Sequence, residues 1–151
     1  MTPFPIRPYG AAMISQNEIY QARILIVDDQ PVNVELLEFL LNSTGYKAVS
    51  ATTDPRVVAG WHATHRYDLI ILDLQMPVMD GWRFIELLHC YVKLSTIPVI
   101  VVTAASSPHL ERIKHEAVRG CLQAPYELRA LLKMVDSCLY PALEQRSLDT
   151  A

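Results

Sequence analysis

Short apolar runs alternate with longer stretches of helical period across residues 23–139, the pattern of strand–helix units wound around a parallel sheet. Residues 24–27 form an unbroken apolar run, as a strand covered on both faces requires. A helix is predicted from Pro31, whose fixed φ suits the first helical position. It places Val34, Leu37 and Leu41 on one face and stops near Gly45. Residues 47–51 make a weaker second strand near an edge, and Asp54-Pro55 reads as the N-cap and first turn of a helix to about His65. The third strand, 69–72, is the most apolar and ends directly at Asp73; a loop with Pro77 and Gly81 leads to a third helix over 82–92. Residues 99–102 form the fourth strand. Ser107 and Pro108 open a fourth helix carrying Leu110, Ile113 and Ala117 and ending at Gly120. A brief fifth strand, 121–123, precedes a fifth helix whose face is Leu128, Leu131, Leu132, Val135 and Leu139.

That pattern divides the 151 residues into an N-terminal extension (1–22), one domain (23–139) and a C-terminal tail (140–151). The flanks have no firm period; either could form an ordered arm, with mobile termini the expectation. Hydrophobic residues at 51% supply a core, which excludes disorder of the whole chain. Thirteen basic against 16 acidic residues, a net charge of -3 and no basic run argue against nucleic acid as a direct ligand. No apolar stretch approaches the ~20 residues of a membrane helix. Residues 1–10 lack the apolar segment of a secretory signal, so the cytoplasm is the expected location. Cys90, Cys121 and Cys138 form no CxxC pair and are expected in the core without a disulfide. Trp61, Trp82 and Tyr126 are also expected to pack inside. His62 and His65, three apart with no third ligand in view, read as a surface or partly buried pair.

The chemistry gathers at the strand ends. Asp28 and Asp29 close the first strand, Asp73 the third, and the hydroxyl of Thr103 the fourth. In an open sheet whose order reverses between strands one and three, these positions face one crevice. Carboxylates converging there repel one another, so the cluster needs a cation or protons. An oxygen-only donor set without cysteine or histidine suits magnesium better than calcium or zinc. Helix capping accounts for one aspartate at a strand end, but not for three around a crevice with a hydroxyl beside them.

The segments ILIVDDQPVN, DLIILDLQMPVMDG and PVIVVTA, in this order and at these spacings, resemble the receiver domain of bacterial response regulators in two-component signalling. The resemblance implies an α/β, flavodoxin-like, doubly wound five-stranded parallel sheet of order 2-1-3-4-5 with helices on both faces. It implies that Asp73 is the phosphoacceptor, served by a sensor histidine kinase, a phosphotransfer protein or a small phosphodonor. Asp28, Asp29, Asp73 and the backbone carbonyl of Gln75 would hold Mg2+. Thr103 and the backbone N–H of Ala104 would bind phosphoryl oxygens, and Met76, Pro77 and Gly81 would shape the loop. The resemblance also implies a signalling domain rather than a stand-alone enzyme, one that assists its own phosphorylation and dephosphorylation. Output would pass to a downstream effector protein, with a homodimer through predicted helix four, strand five and helix five as a further expectation.

Two positions depart from that pattern. The family's lysine before the proline after strand five is Ala124 here, and the aromatic residue three positions earlier is Cys121. One charge pair at about 4 Å in an effective dielectric near 20 is worth roughly 4 kcal/mol before desolvation. The lost lysine therefore weighs as much as the gap between two switch states. His109, Arg112 and Lys114 are not convincing replacements on sequence alone. Two readings stand: a phosphorylation-operated switch, favoured by the complete acid and threonine set, and a phosphorylation-independent protein-binding module, favoured by Ala124 and Cys121. A magnesium-dependent phosphohydrolase would need a general acid near Asp73, which Gln75 does not supply.

Overall fold

The structure, a computed structural model, describes residues 14–28, 30–73, 97–103, 118–123 and 125–149, with backbone alone for Thr103 and for 146–149. Five parallel strands, β1 (Arg23–Val27), β2 (Ala48–Thr52), β3 (Leu69–Asp73), β4 (Val99–Thr103) and β5 (Val118–Gln123), lie in the order β2-β1-β3-β4-β5. The described helices are α1 (Gln16–Tyr20), α2 (Pro31–Ser43), α3 (Val58–His65) and α4 (Leu128–Asp149). This is the expected doubly wound sheet, with β2 at an edge.

Both faces of the sheet are covered, which explains the uninterrupted apolar runs of β1 and β3. Alternate side chains enter separate cores. Ile24, Ile26, Leu69 and Ile71 join α2 and α4 residues such as Val34, Leu37, Leu131, Val135 and Leu139 on one face. Leu25, Val27, Ile70 and Leu72 join Val58 of α3, Tyr67 and Val99 on the other. The Asp68 carboxylate accepts from the Arg23 N–H at 2.9 Å, and the Asp68 N–H donates to the Arg23 carbonyl at 2.7 Å. These two bonds fix the register at the amino ends of β1 and β3, where Ile24 pairs with Leu69.

Several expectations change. The fourth helix was expected to end at Gly120, yet residues 118–120 already belong to β5, which is twice the expected length at six residues. Gly120 is not a helix terminator. A Cβ there would run into the Met134 Sδ of α4, so this glycine lets helix and strand approach closely. Of the expected fifth-helix face, Leu131, Val135 and Leu139 are buried, but Leu128 is 37% exposed at the first turn. Trp61 is also exposed rather than packed inside, as is Cys121, while Cys138 is buried as expected. The predicted helices over 82–92 and 108–117, Cys90 and Trp82 lie outside the described residues.

The flanks also contribute. Ser15 opens α1 with a capping box, accepting from the Glu18 N–H at 3.1 Å while the Glu18 carboxylate accepts from the Ser15 N–H. Ile14, Ile19 and Ala22 are fully buried in the α2–α4 core. At the other end α4 continues through Pro141 to Asp149, where the burial of Leu143 works against the lost hydrogen bond and the carbonyl clash of an interior proline. A cluster of tyrosines binds these pieces together. Tyr20 of α1 meets Tyr46 edge-on with ring centroids 5.2 Å apart, and the buried Tyr46 hydroxyl donates to Asp136 of α4.

Two glycines give opposite expectations. Gly45 has φ 119°, and a Cβ there would lie 2.9 Å from Tyr20 Cζ. Gly60 is in the middle of α3 with nothing within 4 Å. Gly45→Ala is expected to lower unfolding free energy by about 2 kcal/mol, and Gly60→Ala to raise it by about 0.5–1 kcal/mol. Urea denaturation of the two variants checks both signs.

Candidate functional site

β1 and β3 are hydrogen-bonded neighbours although they are not consecutive in the chain, so the order of strands reverses between them. Their register pairs Val27 with Leu72, and one more residue sets Asp28 opposite Asp73. The two carboxyl groups are in hydrogen-bonding contact, an arrangement that requires a proton on one of them. Asp28 is 6% exposed. Burial pushes its carboxyl up to about 6; the charge of Asp73 adds to the rise, opposed by the N–H of Gln30 and the side chain of Asn33. The Gln30 N–H reaches Asp28 Oδ1 at 3.0 Å, so Asp28 also shapes the turn into α2.

Thr103 ends β4 one residue beyond Val102, the partner of Asp73, which puts it on the strand adjoining Asp73 at the same end of the sheet. Asp28, Asp73 and Thr103 are thus brought to one end of three successive strands. Asp29, Gln75, Ala104 and Ala124 lie outside the described residues, as do Met76, Pro77, Gly81, His109, Arg112 and Lys114.

Two participants were not anticipated as such. Asn33, on the first turn of α2, hydrogen-bonds the Asp28 side chain. Its signal is the five-residue offset from Asp28 across a Pro31 helix start, which turns position 33 back toward the strand end. Tyr126 packs against the α2–α4 core as expected, but burial and then the charge of Asp28 push its hydroxyl upward in pKa, so it lies within the electrostatic reach of the acids. His62 is half-buried: its Nδ1 accepts from the Tyr67 N–H at 3.0 Å and its ring stacks on Tyr67, while His65 is exposed. Among the described residues, no three histidine, cysteine or acidic side chains come together around a metal-sized space.

A family model, that of the response regulator receiver domain, matches residues 24–136. The chain belongs to the response regulator receiver family. It is a receiver domain of two-component signalling. The receiver is 35% identical over 118 residues to Protein Rrf1 of Nitratidesulfovibrio vulgaris, covering 78% of this chain and 83% of that protein. It is 34% identical over 110 residues to the sensor histidine kinase RcsC of Salmonella typhi, covering 72% of this chain but only 11% of the kinase. Among solved structures it is similar to the chemotaxis response regulator CheY4 of Vibrio cholerae, with a TM-score of 0.69 and 28% identity over 79% of this chain and 99% of that one. Among the described residues of the receiver, no helix is long and apolar enough to cross a membrane.

The donor chemistry fits a hard divalent cation. Two adjacent carboxyl groups with hydrogen-bonding partners but no sulfur or imidazole offer oxygen alone, and a cation can take the place of the shared proton. The raised Asp28 carboxyl has a consequence for stability. Between 3.8 and about 6 the folded chain keeps a proton that the unfolded chain has released. Stability contributed by this group is therefore greatest below that window and falls as pH rises through it, by about 2–3 kcal/mol in all. Asp28→Asn should flatten this dependence and make the metal-free protein more stable near neutral pH. Thermal unfolding of both proteins across the window, without divalent ions, measures the difference; parallel curves would refute the assignment.

Proposed function

We propose that this receiver takes a phosphoryl group on Asp73 from the phosphohistidine of a sensor kinase or phosphotransfer protein and signals by contact with an effector protein. The observation that supports this reading is the contact of Asp28 with Asp73 at the carboxyl ends of adjoining strands. An Asp73 oxygen forms the new O–P bond as the donor's N–P bond breaks; the electron pair stays on the imidazole, which recovers a proton from water. Magnesium held by Asp28, Asp29, Asp73 and the Gln75 carbonyl would neutralise the crowded carboxylates and the incoming phosphoryl oxygens. Thr103 and the N–H of Ala104 would receive two of those oxygens.

The reading extends to the donor's landing surface. Val32, Leu36 and Phe39 are 74%, 53% and 66% exposed along one side of α2, the helix that starts beside Asp28. An apolar stripe of this kind on a solvent face marks a protein contact, and its continuity with the acid pocket fits a phosphodonor that must bring its histidine to Asp73. A second reading, a binding module whose output ignores phosphorylation, draws on Cys121. This small, exposed side chain stands on β5 where receivers carry the aromatic that follows the threonine.

Incubation with acetyl phosphate and Mg2+ should give one phosphoryl adduct by intact mass, lost in Asp73→Asn and on adding a chelator. No adduct in the unmodified chain would leave the binding-module reading in its place. Phe39→Asp should slow transfer from a phosphohistidine protein by about tenfold or more while leaving the acetyl phosphate reaction unchanged; equal slowing of both would count against α2 as the landing surface.

A further inference from the structure

Helix α3 has little apolar surface to hold it against the sheet. Of its eight residues Val58 alone, at the first turn, is buried, and Gly60 removes a side chain from its middle. Its far end is fastened through His62. The His62 carbonyl accepts from the Arg66 N–H at 2.9 Å, and the His62 Nδ1 accepts from the Tyr67 N–H at 3.0 Å. Two successive amides that close the helix and lead into β3 are thus satisfied by one residue, the second of them by an atom that can take a proton. The imidazole also stacks on the Tyr67 ring, with centroids 6.1 Å apart and planes at 26°.

An Nδ1 that accepts carries no hydrogen, so the ring that fits this turn is neutral, with its proton on Nε2. In the imidazolium both nitrogens are donors, and the Tyr67 N–H would then face another N–H. Attraction becomes repulsion. Among the described residues, the charged and titratable groups around the ring are Arg66 at the end of its own helix and Tyr67 and Asp68 at the entry to β3. His65 is exposed and tilts against the Tyr67 ring, while Arg23 of β1 donates to the His65 carbonyl. Burial, and then the charge of Arg66, hold the imidazole below its usual 6.5, opposed by Asp68. The Tyr67 hydroxyl is buried without a hydrogen-bond partner among the described residues, so a turn that opens lets water reach it and favours release. A plain amide oxygen would cap the same N–H at any pH; an imidazole makes the cap conditional.

We propose that His62 is a proton-operated latch on α3: with a neutral ring it holds the turn into β3 shut, and on taking up a proton it lets the end of the helix come away from the sheet. The Asp68–Arg23 bonds that set the register of β1 and β3 do not pass through His62, so the strands and the pairing of Asp28 with Asp73 stay in place. The latch is independent of the phosphorylation of Asp73. Because the folded ring binds its proton less readily than the unfolded chain, the stability it contributes is complete above 6.5 and is lost as pH falls through the lower, folded value. This sign is opposite to that of Asp28, which keeps the two effects separable.

The test follows the Tyr67 amide of the full chain by NMR hydrogen exchange, corrected for intrinsic exchange at each pH. Its opening should rise about fivefold or more between about pH 7.5 and about pH 5, while the amides inside β1 and β3 keep their protection. The nitrogen shifts of His62 should show the Nε2–H tautomer at the upper pH and the imidazolium at the lower. His62→Asn sets an amide oxygen where Nδ1 stood and does not titrate, so its Tyr67 amide should stay protected throughout. His62→Phe keeps a stacking ring without an acceptor and should leave that amide open at both ends of the range. Protection of Tyr67 that ignores pH in the unmodified chain, or the same pH response in His62→Asn, overturns the proposal. So does loss of protection throughout β1 and β3 together with Tyr67, which would make the effect one of the whole sheet rather than of α3.

Discussion

β1 and β3 lie side by side without being consecutive, and this adjacency sets the chemistry of the molecule. Both strands are covered on both faces, so their backbone polar groups are satisfied in the ladder and their side chains are apolar over 24–27 and 69–72. Polarity resumes for both strands at the same height, which brings Asp28 and Asp73 together where solvent is scarce. Water would have separated two such charges at little cost. Here they must share a proton or a cation, and a site that demands neutralisation also responds to what supplies it.

The sheet thereby acquires ends of opposite character. Its carboxyl end gathers acids beside the bare apolar side of α2; its amino end carries Arg23 and Arg119 near the starts of β1 and β5, with Asp68 between β1 and β3. Five residues of strand separate the two, roughly 16 Å, beyond a Debye length at physiological salt. Contacts made at one end are electrostatically insulated from those at the other. Coupling between them has to pass through packing, and the packed path runs from α2 through the shared core to α4.

Much of this was legible in the chain itself. The strands themselves, the buried triplet of α2 and the position of Asp73 follow from period and punctuation, because a sheet buried on both faces leaves few other places for runs such as ILIV and LIIL; the order of the strands came from the family resemblance. The proximity of Asp28 and Asp73 could be inferred once strands one and three were taken as neighbours. Gly120 was misread because a glycine after an apolar stripe looks the same whether it ends a helix or makes room for one; only Met134, fourteen residues on, distinguishes the two. The described parts of the flanks give no local signal for a related reason. Ile14, Ile19 and Leu143 are too widely spaced to show a period by themselves, and their burial depends on partners elsewhere in the chain.

Helix α4 has a mechanical meaning beyond the surface it covers. At 22 residues it measures about 33 Å along its axis, roughly double the height of the sheet on which it lies. It starts just past the acidic end and continues alongside α1, so it runs well past the amino edge of the sheet. Pro141 interrupts its hydrogen-bonded ladder, and such a site is where a beam flexes when loaded. Leu143, one position past Ala142 and 3% exposed, packs in the same core as Leu139, so the turn after Pro141 stays tied to the domain and the helix bears on the sheet on both sides of its proline.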